Sequence, residues 1–185
     1  MKRVVTLILC AFLLAGCQGD HTLEKAVSLR ESVLTTEGCS LHAQVTADYG
    51  DKIYTFGMQC QFDSSGNLTF AVTQPESITG ISGTIRDDGG KLTFDNQMLA
   101  FPLLADEQLT PVSAPWVFMK ALRSGYIRSS AQGETFTQIC IDDSYQDDAM
   151  QVDIWLNKSD VPYRAEISWK NRRILSLDIT ELTFL

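Results

Sequence analysis

The chain has 185 residues, of which 44% are hydrophobic and 21% are charged, and this composition excludes a disordered or a collagen-like chain. A chain of this length suits one domain with its own hydrophobic core. The formal net charge is −8. Nucleic acid is therefore excluded as an expected partner, because binding it depends on clustered Lys and Arg side chains.

The N-terminal segment has the pattern of a bacterial export signal. Residues 1–3 carry positive charge, and residues 4–14 form an apolar run that is too short to span a bilayer. The run ends in Leu14-Ala15-Gly16-Cys17, which resembles the lipobox of bacterial lipoproteins. The resemblance implies that residues 1–16 are removed, that Cys17 is lipidated, and that residues 17–21 form a tether. The alternative is an ordinary secretory peptide with an incidental cysteine.

Lipid rather than charge is expected to hold the mature chain at a membrane. Loss of Lys2 and Arg3 with the signal leaves 13 basic against 23 acidic residues, and anionic headgroups repel such a chain. Two acyl chains anchor a protein stably. Because Gln18 follows Cys17, the sorting rule of bacterial lipoproteins implies the outer membrane in a two-membrane cell. In a single-membrane cell, the lipid anchor would hold the chain on the extracytoplasmic side of the cell membrane.

A helix is predicted over residues 22–36, with Asp20 or Thr22 as its N-cap and Gly38 as its end. Apolar residues at helical spacing, together with Arg30, predict the face that packs on a sheet. This predicted stripe comprises Leu23, Ala26, Val27, Arg30 and Leu34.

Alternating apolar and polar residues predict a series of antiparallel strands after this helix. Turns are predicted at residues 49–50, 63–67 and 87–90, where Gly, Asp, Ser and Asn occur. With these turns, the predicted facing pairs are Cys39 with Cys60, Phe62 with Leu68, and Ile85 with Leu92.

The second half begins with an irregular apolar loop over residues 98–111. A short helix follows over residues 116–124, with Ser113 as N-cap and Gly125 as its end. This helix is apolar nearly all round, so it should be covered on more than one side. Strands are predicted from Tyr126, over residues 135–142, and in a closing meander over residues 150–185. Within this meander, the predicted facing pairs are Leu156 with Tyr163, Ile154 with Ala165, and Ile167 with Leu175.

A long antiparallel sheet with one apolar face must curl around helices or close on itself. In this respect residues 23–185 resemble the lipoprotein carriers LolA and LolB and related mycobacterial and clostridial lipoproteins. The resemblance is carried by residues 68–72 (LTFAV) with Pro75 soon after, and by residues 153–158 (DIWLNK) with residues 161–167 (VPYRAEI). It implies a mainly β (α+β) fold, in which residues 22–185 form one domain. An unclosed β-barrel would cover an N-terminal helix and a short apolar helix.

The facing pair Cys39 and Cys60 predicts a disulfide. Opposed residues of antiparallel strands lie within the Cα separation that a disulfide needs, and exported proteins meet oxidising conditions. The alternative is two buried free thiols. Cys140 has no partner in this pairing, and is interpreted as a packed thiol or as one half of an intermolecular disulfide.

Neither a metal site nor an enzyme is expected. The cysteines lie far apart, and His21 and His42 stand outside any CxxC or HExxH pattern. The acidic run over residues 142–148 lacks the ligand spacing of an EF-hand, and is interpreted as a solvated turn. No GxSxG elbow occurs. No cofactor is expected either.

The apolar interior is the remaining candidate site. Large aromatic and flexible side chains are typical of pockets for lipid tails, although they can equally fill a core. The candidate residues are Phe56, Met58, Phe70, Phe94, Phe101, Trp116, Phe118, Met119 and Tyr163. The chain is therefore predicted to be a lipid-anchored envelope protein that binds an acyl chain or another lipid without chemistry. The alternative is a scaffold lipoprotein that supports an envelope or spore-germination enzyme through protein contacts. Its partner could be that enzyme or a second copy of the chain.

Overall fold

The computed structural model describes residues 21–105, 108–146 and 149–185, without the side chains of residues 104, 105 and 108. Helix α1 spans His21–Thr35 and helix α2 spans Ala114–Ser124. Single 3-10 turns cover Glu76–Ile78 and Pro111–Ser113. The strands are β1 Gly38–Asp48, β2 Ile53–Asp63, β3 Leu68–Gln74, β4 Ser82–Arg86, β5 Gly89–Phe94, β6 Gln97–Phe101, β7 Leu104–Ala105, β8 Gln108–Leu109, β9 Tyr126–Gln132, β10 Thr137–Asp142, β11 Gln151–Leu156, β12 Pro162–Trp169 and β13 Arg172–Phe184.

Eleven of these strands form one antiparallel sheet in the order β6-β5-β4-β3-β2-β1-β13-β12-β11-β10-β9. The first and last strands of the sheet, β1 and β13, pair at its centre, and β6 and β9 form its two edges. The two edges do not pair, so the sheet is an unclosed half-barrel. The predicted fold class is confirmed: a mainly β chain in which one curved antiparallel sheet covers two helices.

Helix α2 is buried inside the curve of the sheet, where it packs on β1, β10, β12 and β13. Its apolar residues point in all directions around the axis, and a helix of that kind is stable only when it is surrounded. Trp116, Val117, Phe118 and Met119 are all buried. The prediction that this helix is covered on more than one side is confirmed.

Helix α1 begins within one residue of its predicted start, but the prediction of its buried face is wrong. It packs on β9, β10 and α2 through Ala26, Leu29 and Val33. Three members of the predicted stripe, Leu23, Val27 and Leu34, are exposed instead. The helix carries two apolar faces side by side, and spacing alone cannot decide which of them meets the sheet.

Three predicted facing pairs are confirmed: Phe62 with Leu68, Ile154 with Ala165, and Ile167 with Leu175. The predicted pairing of Leu156 with Tyr163 is wrong, because an irregularity in the β11–β12 ladder places Pro162 opposite Leu156.

Two other predicted registers are wrong by two residues. Cys39 lies opposite Phe62 and Cys60 opposite Leu41, because the chain reverses over four residues, with the Tyr49 amide donating to the Lys52 carbonyl. Similarly, Ile85 lies opposite Gly90 rather than Leu92. A slip of two residues keeps every side chain on its predicted face, so the apolar face of the sheet is unaffected.

Candidate functional site: an apolar shelf on the open concave face

Most of the predicted ligand-binding residues fill the core. Phe56, Met58, Phe70, Trp116, Phe118 and Met119 each expose no more than 6% of their surface and belong to one contiguous cluster. Close-packed side chains of this kind leave little room for a second molecule. The deep interior of the half-barrel is therefore filled by the protein itself.

The concave face changes character toward the β6 edge. Facing residues across the ladders form a row from Leu41 through Cys60, Phe70, Gly83 and Leu92 to Leu99. Facing residues of an antiparallel pair project from the same side of the sheet, so all six lie on the concave face. Burial declines along this row, from Leu41 at 0% exposed to Leu99 at 60% exposed.

Two neighbouring rows show the same trend. Phe101 lies opposite Gly90, which lies opposite the buried Ile85. Phe94 lies opposite Gln97, on the far side of the Leu92–Leu99 pair from Phe101, and is 45% exposed. We call Leu92, Phe94, Leu99 and Phe101 the apolar shelf.

The position of α2 explains why the shelf is open. The helix packs on the central and β10-side strands, and reaches the β4–β5 turn through an ion pair of 2.9 Å between Lys120 and Asp87. Among the described residues, neither helix has an extensive contact with β5 or β6. The concave face of these two strands therefore carries apolar side chains that no described helix covers.

Two glycines shape the floor of the shelf. A Cβ atom on Gly90 would lie 2.1 Å from the Phe101 ring, and one on Gly83 would lie 2.9 Å from the Phe70 ring. Any larger residue would displace these rings. The absent side chains therefore let both aromatic rings lie directly over the strands, so that the rings themselves form part of the apolar surface.

The structure thus separates the nine predicted residues. Phe94 and Phe101 belong to the shelf, whereas Tyr163 lies on β12, next to the irregularity at Leu156 and Pro162, and is 40% exposed. Leu92 and Leu99 were missed. Their alternation with Phe94 and Phe101 along two adjacent short strands was a usable signal.

The three cysteines within the described residues, Cys39, Cys60 and Cys140, are free. Cys39 and Cys60 are diagonal neighbours, since each faces another residue, so the facing geometry behind the predicted disulfide is absent. Burial raises the pKa of Cys39 to about 11, although the charge of Arg123 opposes this, and burial also raises the pKa of Cys60. Both thiols therefore stay protonated at neutral pH.

Cys140 lies on the other face of the sheet, opposite Asp153. Burial, followed by the charges of Asp153 and Asp142, raises the pKa of Cys140 to about 11. Gln138 and Gln151 donate hydrogen bonds to the Asp153 carboxylate at 3.2 and 2.6 Å. This thiol is held in its protonated, unreactive form.

The described residues contain no group of three or more side chains that could hold a metal ion. His42 lies 3.5 Å from Glu181, and His21 lies 3.3 Å from Glu24. Part of the acidic run, residues 147–148, lies outside the described residues. So does Cys17, the predicted site of lipidation.

A second groove, of about 740 Å³, separates α1 from the β11–β12 turn and the end of β13. Leu29, Pro162 and Leu182 line it, and an ion pair of 2.7 Å between Lys25 and Asp160 crosses it. The ion pair and the polar residues of α1 make this groove a mixed surface. Within the described residues, no helix is long and apolar enough to cross a membrane.

No protein-family model and no curated protein matches the chain. Similar solved structures include an uncharacterized conserved protein from Thermus thermophilus, with 12% identity, 88% of this chain and 87% of that chain covered, and a TM-score of 0.48. A LolA superfamily protein from Nitrosomonas europaea has 11% identity, with 86% and 93% covered, and a TM-score of 0.46. The Mycobacterium tuberculosis lipoprotein LppX has 10% identity, with 89% and 96% covered, and a TM-score of 0.42.

Proposed function

We propose that this chain is a lipid-anchored protein of the bacterial envelope that binds a hydrophobic ligand, such as an acyl chain, on the apolar shelf. Binding is non-catalytic, and it takes place at the open end of the half-barrel rather than in its interior. The observation that carries this proposal is the row of concave side chains ending in Leu92 and Leu99, which α2 leaves uncovered.

The chemistry of the shelf supports an apolar ligand. Its four side chains are hydrocarbon, and the only polar residue on the concave face of β6 is the uncharged Gln97. An acyl chain gains free energy by removing such surface from water, at about 25 cal/mol per Å². No charged side chain projects from the concave face of β5 or β6, so a charged ligand would lack an ion-pair partner on these two strands.

Adjacent residues on β6 provide a matched test. Leu99 projects from the concave face, whereas Met98 belongs to the row that contains Ala71, Ser82 and Thr93 on the opposite face. Both are exposed, Leu99 by 60% and Met98 by 72%. Truncation of either side chain to Ala should therefore perturb the fold to a similar, small extent.

The measurement is a fluorescence titration of the full-length protein with cis-parinaric acid, a fatty acid that fluoresces when bound. Burial of a whole Leu side chain contributes ~1.5–3 kcal/mol. Leu99 is 60% exposed, so a ligand that covers its exposed part gains about 1–2 kcal/mol. Leu99→Ala should raise the dissociation constant about 5- to 30-fold, and Met98→Ala should leave it within about twofold. Equal effects of the two variants, or no binding by the wild type, would overturn the proposal.

A second function, as a scaffold that binds another envelope protein, is favoured by the open edge of β6. This strand, Gln-Met-Leu-Ala-Phe, contains no charged residue and no proline, which are the usual devices that stop an edge from pairing with another strand. A partner strand could add to it through main-chain hydrogen bonds. Native mass spectrometry separates the two functions, because a ligand binder carries bound lipid and a scaffold is empty until its partner strand is supplied.

A further inference from the structure

Helix α1 has a second apolar stripe that nothing in the described structure covers. Its buried face consists of Ala26, Leu29 and Val33, while Leu23, Val27 and Leu34 are exposed. At about 100° per residue, these three exposed side chains fall within about 40° of one another around the axis. They form one straight line along the helix, about a quarter turn away from the buried face.

The stripe is held in this orientation by Arg30. This side chain lies between the two faces and donates hydrogen bonds to the carbonyl oxygens of Leu122 and Gly125 at 2.7 and 2.6 Å, at the C-terminal end of α2. Arg123 reaches back from α2 to the Val33 carbonyl at 3.4 Å. Rotation of α1 to bury the stripe would break these bonds, so its exposure is a fixed feature of the fold.

The distance to the predicted lipid anchor decides what the stripe meets. Helix α1 begins at His21, only four residues after Cys17. Four residues span at most about 14 Å when fully extended. The headgroup layer on each side of a bilayer is roughly 5–8 Å thick, and the tether must cross it. With the predicted anchor in place, the N-terminal end of α1 therefore stays within about 9 Å of the headgroup surface.

We propose that the exposed stripe of α1 lies in the headgroup–acyl boundary of the bilayer that holds the Cys17 anchor, with the helix axis along the membrane surface. This inference rests on the lipid anchor of the proposed function. Leu23 and Leu34 lie about 16 Å apart along the axis, at 1.5 Å per residue, so both reach the bilayer only when α1 lies flat. The occupant is a neutral lipid surface, because Glu24 and Glu31 border the stripe and anionic headgroups would repel them.

The experiment uses the mature lipidated protein reconstituted into phosphatidylcholine vesicles, with one nitroxide label at Val27→Cys or at Ser28→Cys. Ser28 is also exposed and is the next residue along the helix, but its side chain projects about 100° around the axis from that of Val27. Burial raises the pKa of each of the three native thiols in the domain, so the label reacts with the introduced cysteine. Accessibility to oxygen and to a water-soluble nickel chelate is measured by electron paramagnetic resonance.

At position 27, we expect high accessibility to oxygen and at least fivefold lower accessibility to nickel than at position 28. A label at Leu34→Cys should behave like the label at position 27. Equal nickel accessibility at 27 and 28 would overturn the inference. Exclusion of both oxygen and nickel at 27 would also overturn it, since protein and not lipid would then cover the stripe.

The anchor is tested separately by flotation. Protein that floats with the vesicles but exposes position 27 to nickel contradicts the membrane contact alone, and leaves the anchor intact. Protein that fails to float contradicts the anchor and therefore the inference with it. In floated samples, immersion at position 27 should survive high salt, because apolar contact is not screened, and should weaken in vesicles rich in phosphatidylglycerol.

Discussion

Replacement of Arg30 by alanine should separate the two helices and destabilise the domain. The guanidinium donates from Nε to the Leu122 carbonyl at 2.7 Å and from Nη2 to the Gly125 carbonyl at 2.6 Å. Its third contact, to the Ala121 carbonyl at 3.4 Å, matters less, because that oxygen already accepts a hydrogen bond from the Gly125 amide.

The magnitude follows from these contacts. A hydrogen bond to a charged group contributes about 1.5–3 kcal/mol, and a positive charge at the C-terminal end of a helix adds about 0.3–1 kcal/mol. Two such bonds and the charge would sum to about 3–7 kcal/mol if fully buried, but Arg30 is partly exposed, and water weakens each contribution. We expect Arg30→Ala to lower the free energy of unfolding by about 2–4 kcal/mol. Arg30→Lys keeps the charge but not the two-pronged geometry, and should lose about half as much.

Urea unfolding, followed by tryptophan fluorescence, measures the change; the buried Trp116 is one of the three tryptophans. The control is Glu31→Ala, which removes an exposed side chain from the same helix and should change the free energy of unfolding by less than about 0.5 kcal/mol. A loss at Arg30→Ala no larger than that of the control would refute the role of Arg30 as the link between α1 and α2.

Three further predictions concern the cysteines. Asp153→Asn should make Cys140 react several-fold faster with iodoacetamide at about pH 8, because the lost carboxylate helps to raise the pKa of this thiol; an unchanged rate would argue against that electrostatic effect. The pKa of Cys39 and of Cys140 is raised to about 11 in the folded chain, against about 8.5 in the unfolded chain. The protonated thiols therefore stabilise the fold fully below about pH 8.5, and this stabilisation is lost as the pH rises toward 11. A urea midpoint that stays constant between about pH 8 and pH 10.5 would contradict this. Cys17→Ala should leave the chain as an unlipidated precursor, and mature protein that still partitions into detergent would contradict the lipobox prediction.

The strands and their faces were predictable because alternation with a period of two is a local signal. The pairing of Ile154 with Ala165 follows from it directly. The register of β1 and β2 was not predictable in the same way. A slip of two residues keeps Cys39 and Cys60 on the apolar face, so the pattern is satisfied equally by a two-residue and a four-residue turn.

The features that bear on function depend on where the helices lie, and local pattern does not contain that information. The spacing of Leu23, Val27 and Leu34 is as good a packing face as that of the residues that are buried. Likewise, Phe94 and Phe70 look alike in sequence, yet Phe70 is buried in the core and Phe94 is 45% exposed. Sequence reasoning therefore identified an apolar concave face, while the structure located its uncovered part.

Photolabelling can locate a bound acyl chain on the protein. Full-length protein is irradiated with a palmitate analogue that carries a diazirine near the end of its chain, and the labelled peptides are mapped by mass spectrometry. We expect the label on Leu92, Phe94, Leu99 or Phe101, and its loss on competition with unlabelled palmitate. Label on Trp116 to Met119 of α2 would contradict the account, because it would place the ligand in the interior that the core side chains are shown to fill.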